Sequence, residues 1–435
     1  MKTVTITLST SFAGAMALMI LLAGGPIASA QSASPTATAT PGVCAITEIP
    51  VPNSTPTAAN CATGAEPPPS YLGVSGGNIN SVDKTGLSCC TGTFGALVQD
   101  SNSIPYVLST NSVLARTSST ARSAAINEDI VQPGLVDLGC WQDASDTVAK
   151  LSKSTKLRYG GGTNLLDAAI AKVVNEEQSP GGPQFPGIRP DGAILNLGQI
   201  SSTPFPYTSL VDALPVMKMG RTTCLTSGVI DAFDAMGKVV YAKECNAATS
   251  GTAFFNHQIL VLGESTSGSQ TCTFAKTGDA GALVVTQDFS CPQAIGIMFA
   301  GTPAAGTAYT PDSNNSMIVA VNPIQTILST FKVTLVGQSC TASKIGTEMA
   351  SSPPPPSAAL LASIEIVRKV KVHHARRLLR NKVVTAVGIG AGDTPDTAAL
   401  AVYVSDDSPA ALAKIPAEIN GVKVKIRHAG VFHAL

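Results

Sequence analysis

Three short stretches of this 435-residue chain stand out. Ser112 sits in Ser109-Thr110-Asn111-Ser112-Val113-Leu114-Ala115, Asp167 in Asn164-Leu165-Leu166-Asp167-Ala168-Ala169-Ile170-Ala171, and Ala280 in Gly278-Asp279-Ala280-Gly281. A carboxylate such as Asp167 is useful in acyl transfer when it orients an imidazole that draws the proton from a nucleophilic hydroxyl or thiol. Imidazole is scarce here: the chain has five histidines, His257, His373, His374, His428 and His433. His257, in Phe254-Phe255-Asn256-His257-Gln258, reads as a half-exposed strand histidine rather than a replacement base. His373 and His374 are helix neighbours pointing about 100° apart, so they do not share a metal. Ten cysteines include no CxxC pair and no CxxH, so neither a metal nor a cofactor is expected. Gly388-Ile389-Gly390-Ala391-Gly392 lacks the G-x-G-x-x-G spacing of a phosphate loop and reads as a turn.

The start of the chain points to export. Lys2 precedes an apolar run from Phe12 to Ala23 and the small-x-small triplet Ala28-Ser29-Ala30, which reads as a signal peptide over 1–30. No run is long enough for a transmembrane span, so a secreted, extracellular or periplasmic protein is expected. In that compartment the ten cysteines are disulfide partners. Short spacing suggests Cys44 with Cys61 and Cys272 with Cys291, while adjacent Cys89 and Cys90 face opposite ways and take different partners. Cys224 reads as a disulfide half, and Trp141 as packing over a disulfide or a barrel end. Twenty-eight Lys and Arg balance 28 Asp and Glu, and only 13% of residues are charged, which argues against a nucleic-acid partner.

Composition divides the rest. Residues 31–69 are a Pro/Thr/Ala-rich linker, in which Asn53-Ser54-Thr55 is a chance sequon. Residues 336–357 form a second, Pro-rich linker. Between them, β-rich runs at 93–98, 106–108, 129–132, 147–151, 193–197, 253–262, 282–285 and 294–299 are separated by turn residues, and a helix is expected only at 322–331. The fold class is mainly β, with residues 70–335 long enough for two barrels at about 70–203 and 204–335. Residues 358–435 form a small α+β module, with a helix at 357–380, strands at 383–389, 400–404 and 422–426, and a short helix near 409–414. From residue 358 onward eleven Lys and Arg meet six Asp and Glu, so this basic module docks on the acidic remainder, meets an anionic surface or, most commonly for such a helix, presents a solvated face.

Taken together, Gly92-Thr93-Phe94-Gly95-Ala96-Leu97-Val98 with the Ser112 stretch, the Asp167 stretch, Gly220-Arg221-Thr222-Thr223, and Thr277-Gly278-Asp279-Ala280-Gly281-Ala282-Leu283-Val284-Val285 resemble the trypsin-like serine proteases, in their bacterial secreted branch. The resemblance implies a double β-barrel of trypsin-like type. It sets the histidine of the triad at Ser112, the aspartate at Asp167 and the nucleophile at Ala280, with Gly278 and Ala280 as the oxyanion-hole backbone. Two of the three catalytic groups are therefore replaced. A methyl cannot attack a carbonyl, and a neutral hydroxyl is no base near neutral pH. Loss of the nucleophile or its base removes about 10⁶ in turnover. The resemblance thus implies a pseudoprotease that binds a peptide or protein ligand without cutting it. The alternatives are an active peptidase with non-standard catalytic residues and a stalked surface structural protein.

The tail also resembles a small domain found beside such proteases. The resemblance lies in Ala375-Arg376-Arg377-Leu378-Leu379, Val384-Thr385-Ala386-Val387-Gly388-Ile389-Gly390 and Pro416-Ala417-Glu418-Ile419-Asn420-Gly421-Val422-Lys423-Val424. It implies no role.

Overall fold

A computed structural model describes residues 44, 46, 61, 63–66, 68–83, 85–116, 124–174, 187–242, 245, 249–264, 272–302, 317–340 and 355–435. The signal peptide at 1–30, most of the 31–69 linker with its sequon, and residues 341–354 of the second linker lie outside the described residues.

The first sheet contains β1 (Ser75–Asn78), β2 (Gly92–Thr93), β3 (Ala96–Gln99), β4 (Pro105–Ser109), β5 (Asp129–Val131), β6 (Thr147–Ser154) and β8 (Ala169–Val173); a further two-residue strand, β7 (Thr163–Asn164), joins the second sheet. Strands β2 and β3 are two halves of one path interrupted at Phe94 and Gly95. The antiparallel pairs β1–β2, β3–β4, β4–β8, β8–β6, β6–β5 and β5–β1 return to their starting point, so the sheet closes on itself. Closure removes exposed edges and seals an apolar interior of Phe94, Val107, Leu108, Ile130, Leu151 and Ile170. Gly76 is required there, since a Cβ would fall 2.1 Å from the Phe94 ring.

The second barrel repeats the scheme with β9 (Pro215–Gly220), β10 (Cys224–Ala242), β11 (Thr249–Gly263), β12 (Leu283–Thr286), β13 (Ala294–Gly301) and β14 (Ile318–Pro323). Its pairs are β9–β10, β10–β11, β11–β14, β14–β13, β13–β12 and β12–β9, the same order as in the first barrel. The expected double β-barrel is therefore present. The short helix α1 (Asn111–Leu114) follows β4, and α2 (Ile324–Phe331) follows β14 before β15 (Thr334–Leu335) pairs back onto β3.

Some elements differ from expectation. Residues 193–197 form a bridge and turn about Ile194 and Gly198 rather than a strand, and 322–323 finish β14 instead of opening the helix. Strands β9, β10 and β14 were not anticipated. Most side chains of β10 are buried, because neighbours cover both faces, so it lacks the apolar–polar alternation that marks a half-exposed strand.

The tail comprises α3 (Ala358–Leu378), β16 (Val384–Ala391), β17 (Ala398–Val404), α4 (Pro409–Leu412), β18 (Glu418–Ile419), β19 (Val422–His428) and β20 (Phe432–Ala434). Ser357 caps α3 by accepting from the Leu360 N–H. The expected three-stranded sheet is β16–β17–β19, and its free edge is taken by β10, whose long ribbon with β11 joins the tail to the second barrel. Residues 388–391 lie inside β16 and not in a turn. Their glycines permit a close approach: a Cβ on Gly388 would sit 3.1 Å from the Ala232 and Ala235 side chains of β10.

Five disulfides join Cys44 to Cys272, Cys61 to Cys224, Cys89 to Cys140, Cys90 to Cys245 and Cys291 to Cys340. This overturns both local pairings. Residue 44 lies against the second barrel, donating to the Thr273 carbonyl and accepting from the Ser227 N–H, and that pairing decides its partner. The separate partners of Cys89 and Cys90 and the disulfide at Cys224 agree with expectation. Trp141, expected to pack over a disulfide or a barrel end, is instead exposed, next in sequence to the Cys89–Cys140 bridge.

Candidate functional site

The segment carrying Ser112 leaves β4 and makes the single turn of α1. Asn111 pins that turn, its side-chain Nδ2 donating to the Thr155 carbonyl and hydroxyl, both at 2.9 Å. The Asn111 backbone N–H donates to Asp167 Oδ1 at 2.9 Å. Ser112 is half-buried and its hydroxyl bonds Thr110 at 2.9 Å rather than Asp167.

Asp167 is fully buried just ahead of β8. Asn322 of β14 clamps its backbone from the other barrel, accepting the Asp167 N–H at 3.0 Å and donating to its carbonyl at 2.9 Å. The second carboxylate oxygen accepts the Tyr241 hydroxyl of β10 at 2.6 Å. Burial pushes the Asp167 carboxyl up to about 6, against the hydrogen bonds from Tyr241 and Asn111 that favour its charged form. Burial and the neighbouring Asp167 hold the Tyr241 phenol well above its ordinary range. Tyr159 stacks edge-on to Tyr241 at 5.7 Å between ring centroids.

The turn bearing Ala280 is built around Asp279. That buried carboxylate accepts the N–H groups of Thr222 at 2.7 Å, Thr223 at 3.1 Å and Lys276 at 2.9 Å, and the Thr223 hydroxyl at 2.7 Å. The fully buried ammonium of Lys218 stands 3.7 Å away. Burial lowers the Lys218 pKa, and Asp279 opposes that shift. Gly278 and Gly281 have φ of +96° and +91°, conformations that L side chains rarely adopt. Ala280 is fully buried. Among the described residues, neither the Gly278 nor the Ala280 N–H donates to a protein acceptor.

Thr93 links the two halves. Its N–H donates to the Ala280 carbonyl at 2.8 Å, its hydroxyl donates to the Gly278 carbonyl at 3.0 Å, and its own carbonyl accepts the Ser109 hydroxyl at 2.7 Å. A Cβ on Gly281 would fall 1.9 Å from that Ser109 hydroxyl. The Ser112 turn and the Ala280 turn are thus neighbours across the seam between the barrels, with Asp167 behind α1.

His257 belongs to another cluster. Its Nδ1 lies 2.5 Å from Asp234 Oδ1, and the same oxygen is 2.9 Å from the Lys371 ammonium of α3. Burial pushes the Asp234 carboxyl up, but His257 and Lys371 outweigh it and leave it below its usual range. The His257 ring is half-exposed, as expected of a strand histidine, and no Ser or Cys side chain bonds it among the described residues. No group of three or more His, Cys, Asp or Glu is arranged to hold a metal among the described residues.

Tyr241, Lys218 and Asn322 escaped the sequence reading. Only Lys218 carried a signal, as a lone cation in the apolar run 214–219.

No family model matches the chain, and no curated protein does. Solved structures do resemble it. Thermobifida fusca Protease A is 15% identical, covering 62% of this chain and 98% of its own, at a TM-score of 0.33. A glutamic acid specific serine protease, described as using a histidine triad in substrate binding, is 14% identical over 61% of this chain and 100% of its own, at 0.34. Nocardiopsis protease is 11% identical over 61% and 97%, at 0.33. The likeness is one of fold. At these identities and TM-scores it carries nothing about activity, and the fold itself rests on the shared strand order of the two closed barrels.

Proposed function

We propose that this is an exported, proteolytically silent relative of the trypsin-like serine proteases that acts by binding an extended peptide or protein segment. The observation carrying this reading is the state of Asp167. Both of its carboxylate oxygens are engaged, one by the Asn111 N–H and one by the Tyr241 hydroxyl, while Ser112 turns to Thr110. With Ser112 as the degenerate histidine position and Ala280 as the degenerate serine position, neither position offers an imidazole to take a proton or a hydroxyl to attack a carbonyl. The N–H groups of Gly278 and Ala280 are main-chain donors that the side-chain loss leaves in place. The five disulfides suit an oxidising compartment.

The test is fluorophosphonate labelling of the secreted protein beside a Ser112→His, Ala280→Ser, Tyr241→Phe variant, in which the imidazole regains access to Asp167. The wild type is expected to stay unlabelled. Wild-type labelling at a mapped residue would overturn the reading.

A further inference from the structure

The ribbon of β10 and β11 outruns its barrel, leaving a gap between the far end of β10 and the end of β13. Strand β20 fills that gap. It runs parallel to β10, with Phe432 opposite Val239 and His433 opposite Val240, and antiparallel to β13, with His433 opposite Gly301 and Ala434 opposite Ala300. The Leu435 N–H continues the ladder, donating to the Phe299 carbonyl at 3.1 Å. Phe432 is buried and lines a cavity with Val239, Phe255, Leu260 and Phe299.

This ladder ends beside the Ala280 turn. Met298, the residue before Phe299, accepts the Gly281 N–H at 2.8 Å and donates to the Ala282 carbonyl at 3.0 Å. One extended segment is thus held by main-chain pairing and anchored by one aromatic side chain, on the strand that also pairs with Gly281 and Ala282. Main-chain pairing plus one side-chain pocket is the physics by which a sheet edge takes up a peptide.

We propose that the gap between β10 and β13 is a groove for an extended peptide carrying an aromatic side chain two residues ahead of a small one, and that residues 430–435 occupy it as an intramolecular ligand. The inference rests on the binding role proposed above and names its groove. A tethered segment competes at an effective concentration of order millimolar, so an outside peptide of micromolar affinity is excluded about a thousandfold until β20 leaves.

The probe is a fluorescent hexapeptide of residues 430–435, blocked at both ends, titrated by anisotropy against the full chain and against His433→Pro and Ala434→Pro, each of which disrupts strand pairing at β20. Both variants are expected to bind at least ~10-fold more tightly than wild type, and a scrambled peptide to bind none of them. Equal binding by wild type and variants overturns the closure of the groove. Absence of binding by variants that keep the wild-type circular dichroism overturns the groove itself, while fluorophosphonate silence, if kept, leaves the non-cutting role standing. Should both variants unfold, amide exchange in the wild type decides: strong protection of the Leu435 N–H supports the ladder, and exchange at the free-peptide rate sinks it.

Discussion

The Tyr241 hydroxyl donates to Asp167 Oδ2 at 2.6 Å, with both residues fully buried and drawn from different barrels. The bond fastens the β10 ribbon to the carboxylate that α1 also uses. Tyr241→Phe leaves that oxygen without its donor and is expected to cost about 1.5–3 kcal/mol, the range for hydrogen bonds to charged groups. Urea denaturation measures it, and an unchanged midpoint would show that the bond carries no stability.

Asp167 gives stability an unusual pH slope. Its folded pKa of about 6 lies above the ordinary 3.8, so between those values the unfolded chain has released a proton that the folded chain retains. The contribution is fully present below about 3.8, falls as pH rises to about 6, and is flat above. Asp234 and Asp191, whose carboxyls are lowered, slope the other way, so the quantity to measure is the difference between wild type and Asp167→Asn. Thermal melts across pH 3–8 should give a difference curve confined to that window. A flat difference would contradict the burial-driven shift.

Lys218 and Asp279 form a buried pair at the root of the Ala280 turn, 3.7 Å apart with neither exposed. Lys218→Met strands a carboxylate in the interior and is expected to cost about 3–5 kcal/mol. Adding Asp279→Asn should recover part of it, giving a coupling above about 1 kcal/mol in a double-mutant cycle. Strict additivity would mean that the two charges do not support each other.

Lys371 docks α3 on the β10 ribbon through Asp234 at 2.9 Å. Lys371→Ala should cost about 2–3 kcal/mol, at or below the low end for breaking a buried pair, because His257 and Arg368 remain 2.5 and 3.5 Å from the same carboxylate. Amide exchange over 358–378 should rise before the barrels loosen. Uniform destabilisation without that local opening would place the effect elsewhere.

Much of this arrangement could be read from the chain. Short β-rich runs separated by turn residues mark the first barrel, because the turns there recur every few residues. The expected tail helix and three strands agree with α3, β16, β17 and β19 to within a few residues, because the helix carries apolar residues at helical spacing and the strands are apolar runs of strand length.

Tertiary structure decided what depends on neighbours distant in sequence. Strand β10 is covered on both faces, so its residues lose the alternation that would announce it, and its role as the edge for β16 and β20 appears only once the sheets are assembled. Cys44 lies 228 residues from its partner Cys272, and strand pairing rather than spacing brings them together. Asp167 is written in the sequence; its partner Tyr241, 74 residues away, is not, because a hydrogen bond depends on position in space and the course of the chain sets that position.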